Sequence, residues 1–314
     1  MKILVTDGLD PGALAILRKA NEVDVREFDA KGLFVAIPDY HALIVRSRTK
    51  VTKEVLAQGT QLKVVGRAGV GVDNIDVQEA TARKIVVVNA PTASTVSVAE
   101  LAIGHMVSLL RHLPEADLSV RAGKWEKARF GGRELFGKTL GLLGSGRIGA
   151  EVAKRAQAFG MEVIAYDPYL TRSTADGLRI RLVDQDRLFR DADVLSVHAA
   201  LTAETRGLIG ASQLAKMKRD AILVNCARGE VVDEGALAEA LRSGKIGGAA
   251  IDVFSKEPPV GSPVLSAPNT VFTPHLGAST AEGQARAGAI VAEQVMKVLN
   301  GQRPDFVANP DVYG

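Results

Sequence analysis

The sequence has a single cysteine, Cys226, in 314 residues, which excludes an internal disulfide and any multi-cysteine metal site and fits a reducing compartment. It has no marked charge of either sign: 39 Lys and Arg stand against 36 Asp and Glu, with no block of like charges, so nothing calls for nucleic acid or a membrane surface. Long apolar runs are missing too. The most apolar helical stretch, Leu101 to Leu113, follows Glu100 and is interrupted by His105 and Arg111, well short of a membrane span. The opening MKILVTDGLD reaches Asp7 too soon for a signal peptide, and the expected location is cytoplasmic. No third ligand stands at a recognisable spacing from His198 and His275, so no metal is expected. There is no low-complexity segment or short repeat. The 46% hydrophobic and 24% charged content is that of an ordinary soluble protein, long enough for about two domains.

What is present is organised around Lys138 to Pro168, KTLGLLGSGRIGAEVAKRAQAFGMEVIAYDP. An apolar run, Thr139 to Leu143, ends in a glycine turn, and a helical pattern follows with Ile148, Val152, Ala156 and Phe159 on one side. Gly160 stops that helix, a second strand covers Glu162 to Tyr166, and Asp167 stands 18 residues beyond Gly149. This is the dinucleotide fingerprint. Gly144 permits the tight turn, Gly146 lets the backbone approach a pyrophosphate, and Gly149 lets helix and strand pack closely. Free N–H groups at the helix start would face the phosphates. A carboxylate at 167 would accept hydrogen bonds from an adenosine ribose and repel a 2′-phosphate, so the expected cofactor is NAD, not NADP.

On either side of that stretch the chain alternates strands and helices. Ile3–Val5, Val23–Val25, Ala42–Val45, Lys63–Val65 and Ile85–Val88 read as strands, as do Val194–Val197, Ile222–Asn225, Ala249–Ile251 and Val271–Thr273. The expected fold is α/β, two doubly wound parallel-sheet (Rossmann-like) domains in succession. A helix opened by Ser94 and running to about Leu113 is expected to connect them. Asp233 is the expected N-cap of a later helix, and Ser279-Thr280-Ala281-Glu282 reads as the capping box of the last. Trp125, the one tryptophan, and Phe130 sit among basic residues in a pattern suited to an interface.

Ligands bind beyond the carboxyl ends of strands in such sheets, and three stretches there carry reactive side chains: 225–229, 252–259 and 273–280. Hydride transfer between NAD and an alcohol needs a proton acceptor, and imidazole suits it near neutral pH. It also needs a cation to hold the substrate's carboxylate or polarise its carbonyl, which a guanidinium does with two parallel hydrogen bonds. A carboxylate beside the imidazole orients it and stabilises its charged form. His275, Arg228 and Glu257 supply one of each. His198 is the rival base, read as lining the cofactor site. In the first half, Arg46, Arg48 and Lys50, and the segment Gly66 to Asn74, also follow expected strands; a solvated surface is the plainer reading of the three cations.

Through VRSRTKVT, GRAGVGVDNID, GKWEKARF, GKTLGLLGSGRIG, VNCARGEVVDEGAL, AIDVFSKEPP and TPHLGAST the chain resembles the D-2-hydroxyacid dehydrogenases over nearly its whole length. The resemblance implies an NAD-dependent oxidation of a D-2-hydroxyacid, with 3-phospho-D-glycerate on the way to serine as the expected substrate and an unphosphorylated acid such as glycerate, glyoxylate or lactate as the alternative. It places the family's arginine, glutamate and histidine on Arg228, Glu257 and His275. It assigns Arg147 and Ile148 to the pyrophosphate, Cys226, Ala227 and Arg228 to the cofactor, Asp252 to the nicotinamide amide, and His275, Gly277 and Ala278 to the same site. It makes Gly69, Val70 and Gly71 the substrate-carboxylate loop and Arg46 and Arg67 the phosphate ligands, with Arg129 or Lys127 reaching in from a partner subunit.

It further implies a discontinuous substrate domain, residues 1–97 and 287–314, around an inserted NAD-binding domain, 98–286, and a homodimer formed through the latter. The sequence is read as a form without the C-terminal regulatory domain that some members carry. Where the family often has a proline, this chain has Ala200 in His198-Ala199-Ala200-Leu201. A reading of another class is an NAD-sensing corepressor-like protein sharing the fold, though no tail or insertion is seen to carry a partner.

Overall fold

A computed structural model describes residues 1–314, which divide into two compact units: Met1–Ser94 with Ala278–Gly314, and Thr95–Gly277. In the first unit the strands β1 Lys2–Val5, β2 Glu22–Val25, β3 Ala42–Val45, β4 Val64–Arg67 and β5 Val86–Asn89 form a sheet in the order β2-β1-β3-β4-β5. Every pairing is parallel. Continuous apolar runs such as Ala42-Leu43-Ile44-Val45 are buried on both faces, as strands between two helical layers must be. The helix Ala281–Leu299 covers β4 and β5 and comes so close that a Cβ on Gly66 would lie 2.7 Å from Val291 Cγ1. Glycine at 66 is what lets that helix seat.

The second unit contains β6 Thr139–Leu143, β7 Glu162–Tyr166, β8 Arg181–Leu182, β9 Val194–Val197, β10 Ile222–Asn225, β11 Gly248–Ile251 and β12 Thr270–Phe272. They form an all-parallel sheet in the order β12-β11-β10-β9-β6-β7-β8. The strand order reverses between β6 and β9, so the loops leaving those two strands diverge and open a crevice. The helices Thr95–Leu110 and Arg147–Ala158 pack together on one face, burying Val98, Ala102, Met106, Val152 and Ala156.

Several details differ from the sequence-based expectation. β4 runs on through Gly66 to Arg67, because pairing with β5 continues two residues past the apolar run. β8 has no apolar run and is a two-residue edge strand held only by β7. The last helix is capped by Thr280, whose Oγ1 accepts the Gly283 N–H at 3.0 Å. Gly283 stands at the third helical position and has no side chain to return the bond, so no capping box forms. The boundaries drawn at 97/98 and 286/287 fall inside the helices Thr95–Leu110 and Ala281–Leu299. A continuous hydrogen-bond ladder keeps each helix whole within one unit, and the division falls ahead of both. No helix is long and apolar enough to cross a membrane.

Candidate active site

In the second unit the glycine turn joins β6 to the helix Arg147–Ala158. Gly144 has φ +85°, and a Cβ there would lie 2.8 Å from Ala199 N, in the backbone leaving β9. Gly149 brings the helix so near the turn that a Cβ would lie 2.7 Å from Gly144 O. Gly146 is the N-cap, has no side-chain capping bond, and has nothing within 4 Å of its would-be Cβ. The uncapped start of a twelve-residue helix therefore looks into open space, with the charge and donors that suit an anion. Arg147 and Ile148 are its first two residues.

At the end of β7, Asp167 Oδ2 accepts the Ser145 N–H at 2.7 Å and Oδ1 accepts the Tyr169 N–H at 2.8 Å. The carboxylate thus pins the glycine turn and keeps lone pairs for a further donor. His198 follows β9; its Nε2 is 2.8 Å from Ser196 Oγ, while its Nδ1 is buried without a protein partner. Burial pushes this imidazole down to about 4, so it is neutral at pH 7 and a poor proton acceptor there. Open glycine cradle, uncapped helix start, placed carboxylate and orphaned buried nitrogen together fit a dinucleotide laid across the β6 and β9 ends.

The loops after β10, β11 and β12 meet beside this crevice. After β10, Asn225 Oδ1 accepts the Ala227 N–H at 3.0 Å and its Nδ2 donates to Arg228 O at 3.0 Å, folding the turn that carries Arg228, whose Nη1 donates to Ala227 O at 2.8 Å. Cys226 is buried, and burial, with the Asp252 carboxylate nearby, pushes its thiol far up, so it stays protonated. After β12, His275 Nδ1 lies 2.8 Å from Glu257 Oε2, with side chains 51% and 40% exposed, open enough for a ligand to reach the ring's other nitrogen. His275 holds φ +54°, in the left-handed region, and its N–H donates to Asp252 O at 2.9 Å. Such a backbone state in a histidine persists where its surroundings over-determine it. A cavity of about 390 Å³ beside the pair is lined by Phe254, Pro259, Leu265 and Phe272.

Asp252 is fully buried and accepts from Thr273 Oγ1 at 2.5 Å, Leu276 N at 2.7 Å and Gly277 N at 2.9 Å. Because the Thr273 hydroxyl spends its proton on Asp252, His105 Nε2, 3.0 Å from that hydroxyl oxygen, is the donor between them. Burial holds the His105 imidazole below the usual histidine range, against the pull of Asp252. This His105–Thr273–Asp252 chain was not foreseen in the sequence, where His105 reads as an interruption of an apolar helix. Its signal was a lone titratable residue on the buried face of that helix. No group of three or more His, Cys, Asp or Glu side chains is placed to hold a metal ion.

In the first unit, Arg46 and Arg67 lie at the carboxyl ends of the neighbouring strands β3 and β4, with Gly69–Gly71 just beyond. Arg46 is fixed through its backbone, its N–H donating to Asp7 Oδ2 at 2.7 Å, and the residue lines a cavity of about 370 Å³ with Gly8, Asp10, Ala68 and Gln284. Arg48 is taken up by Glu27 at 2.8 Å and Asp7 at 3.4 Å. Arg67 folds over its own glycine loop: its Nη1 donates to Ala68 O at 3.2 Å, and a Cβ on Gly69 would collide with it at 1.4 Å. Asn89 Nδ2 donates to Val70 O at 2.6 Å and steadies the loop from β5. Ala278 opens the chain segment that returns to this unit. Lys127 and Arg129 lie in a short 3₁₀ turn of the second unit, where Arg129 pairs with Glu126 at 3.4 Å.

Residues 103–277 match the model of the NAD binding domain of the D-isomer specific 2-hydroxyacid dehydrogenases. The chain is 51% identical over 311 residues to D-3-phosphoglycerate dehydrogenase of Methanocaldococcus jannaschii, covering 98% of this chain and 59% of that protein. It is 48% identical over 304 residues to the enzyme of the same name from Archaeoglobus fulgidus, covering 96% and 58%. The chain thus spans less than two thirds of the length of these relatives. Among solved structures, a protein from Thermus thermophilus is similar with TM-score 0.89 and 37% identity, over 98% of this chain and 100% of that one. A glyoxylate reductase from Paecilomyes thermophila has TM-score 0.89 and 30% identity, over 98% of each chain.

Proposed function

The chain belongs to the D-isomer-specific 2-hydroxyacid dehydrogenases, and from that premise we propose that it oxidises a D-2-hydroxyacid to the 2-oxoacid with NAD. The observation that carries this reading is the His275 Nδ1 to Glu257 Oε2 contact of 2.8 Å at the mouth of a dinucleotide crevice. Bound NAD supplies the hydride acceptor. Glu257 holds the ring so that Nε2 faces the substrate, His275 takes the hydroxyl proton on Nε2, and the carboxylate stabilises the imidazolium that results. Arg228 holds the substrate through its guanidinium fork. Gly144, Gly146, Arg147, Ile148 and Gly149 carry the pyrophosphate, and Asp167 the ribose. His198, Cys226, Ala227, Asp252, Gly277 and Ala278 line the remaining cofactor wall. An NAD-sensing role without turnover would leave the His275–Glu257 pair idle.

The substrate we propose is 3-phospho-D-glycerate, giving 3-phosphohydroxypyruvate on the way to serine, in keeping with the names of the curated relatives. Gly69, Val70 and Gly71 would receive its carboxylate, and Arg46 and Arg67 its phosphate. Arg46→Ala or Arg67→Ala is then expected to raise KM for 3-phosphoglycerate about tenfold, the loss of a hydrogen bond to a charged group, and to leave turnover of glycerate or lactate unchanged. Equal losses with every acid would count against the phosphate role. The fold of Arg67 onto Gly69 favours a second reading, an unphosphorylated acid, and a parent preference for glycerate or lactate by kcat/KM would decide for it.

Asp167→Ala is expected to erode the preference for NAD over NADP, because it removes both the ribose acceptor and the charge that repels a 2′-phosphate. The check is the ratio of kcat/KM with the two cofactors. Parent protein that uses both alike would remove the role. We also propose a homodimer through the second unit, where Leu118, Val120, Trp125 and Phe136 are 66%, 57%, 85% and 75% exposed in one stretch of chain, too apolar to suit water.

A further inference from the structure

Glu257 is presented to His275 by residues 255–262, a segment outside any helix or strand. Its internal bonds, Val260 N–H to Pro258 O and Ser262 N–H to Pro259 O, shape it without anchoring it. Apart from the Glu257–His275 contact itself, its hydrogen bonds to residues distant in the sequence go to one side chain. Glu234, the first residue of the helix Glu234–Arg242, accepts the Ser255 N–H and the Ser255 hydroxyl on Oε1, each at 2.7 Å, and the Ser262 hydroxyl on Oε2. One carboxylate therefore ties both ends of the segment to a helix terminus that is itself capped by Asp233, which accepts the Ala236 N–H at 3.0 Å. The Arg228 turn leads into that helix through the short 3₁₀ turn Gly229–Val231. Between them Gly229 lies flat against the Glu257 segment: a Cβ there would sit 1.9 Å from Phe254 C and 2.3 Å from Ser255 N.

We propose that Glu234 is a positioning residue of the acid–base pair, fixing the 255–262 segment so that Glu257 stays at hydrogen-bond distance from His275 and in register with Arg228. The inference rests on the reading of His275 and Glu257 given above. Glu234 touches neither of them; it acts through Ser255 and Ser262. Its burial would raise its carboxyl, but the bonds from Ser262 and Ser255 more than offset this and hold it below the usual carboxylate range, as a group meant to accept only.

The test uses the full chain, with steady-state rates on 3-phosphoglycerate or, where that is not turned over, D-glycerate, and NADH binding followed by fluorescence. Glu234→Ala is expected to lower kcat about tenfold, the scale of a sub-ångström misplacement, with KM for NAD little changed. The acid limb of its pH profile should move to lower pH, because the imidazolium loses part of the carboxylate that stabilises it. Glu234→Gln keeps an acceptor for Ser255 and offers a donor to the Ser262 oxygen, so it is expected to restore both rate and profile. Parental rate and profile in Glu234→Ala, or equal damage in the Gln variant, would overturn the proposal. Should the Ala variant fail to bind NADH or to melt cooperatively, Ser262→Ala, which removes one of the three bonds, is expected to shift kcat and the acid limb in the same direction; no shift overturns it. His275→Asn separates the two levels: full activity there defeats the acid–base reading, whereas an inactive His275→Asn beside a parental Glu234→Ala defeats this inference alone.

Discussion

His275→Asn is expected to lower kcat by about 10²–10⁴ while leaving NAD affinity close to that of the parent, the loss associated with removing a positioned general base. Asparagine is the informative replacement because of the backbone. Residue 275 holds φ +54°, and asparagine enters the left-handed region more readily than most residues, so the loop keeps its course. The Asn amide can also still reach Glu257, and the 275 N–H still donates to Asp252 O. What is lost is the ring nitrogen facing the substrate. His198 cannot replace it: burial pushes its imidazole down to about 4, and its Nε2 is engaged with Ser196. Single-turnover and steady-state rates on the same acid, with NADH binding as the control, decide the matter. Activity within a few-fold of the parent would remove His275 from the proton transfer.

The second large effect concerns a methyl group. Gly229→Ala would put a Cβ 1.9 Å from Phe254 C, where real Cβ atoms essentially never come within 3.0 Å, and the obstacle is backbone with no flexible end to swing aside. Either the Arg228 turn or the segment leading to Glu257 must move by about an ångström, and displacement on that scale at a reaction centre costs about 10² in rate. Overpacking of a close-packed site also costs about 1–3 kcal/mol of stability. Gly146→Ala is the comparison, since nothing lies within 4 Å of its would-be Cβ and its φ of −68° suits alanine. It is expected to melt with the parent, its cost confined to NAD binding. Thermal melts and kcat for the two variants side by side give the check; a Gly229→Ala protein with parental Tm and rate would mean the two loops are not in contact.

Much of the fold was legible because its signals are local. Short apolar β-branched runs such as Val86-Val87-Val88 favour strands buried on both faces, and Gly144 to Gly149 declare a turn with a positive φ and two close approaches. Glu257 and His275 could be set at neighbouring strand ends because β11 and β12 are consecutive and adjacent. What escaped is carried by bonds between residues far apart in the chain. Glu234 meets Ser262 across 28 positions, and His105 meets Thr273 across 168, neither leaving a periodic trace. β8 escaped because an edge strand of two residues needs no apolar run. The Thr280 cap was displaced by one residue because Ser279 and Thr280 are both good capping residues, and only the helix's buried face, through Ala287, Val291 and Val295, decides between them.

The helix Ala281–Leu299 has a consequence for how the protein comes off the ribosome. It supplies Val291, Val295 and Leu299 to the core of a sheet whose strands all lie before residue 90, so the nascent first unit waits through synthesis of the whole second unit before its cover arrives. The second unit is one unbroken segment and can close its core as soon as Gly277 has emerged. Until Val291 reaches Gly66, the newborn chain exposes one apolar sheet face while its other domain is already finished. Emergence of the helix Ala281–Leu299 is therefore the step that completes the core of the first unit.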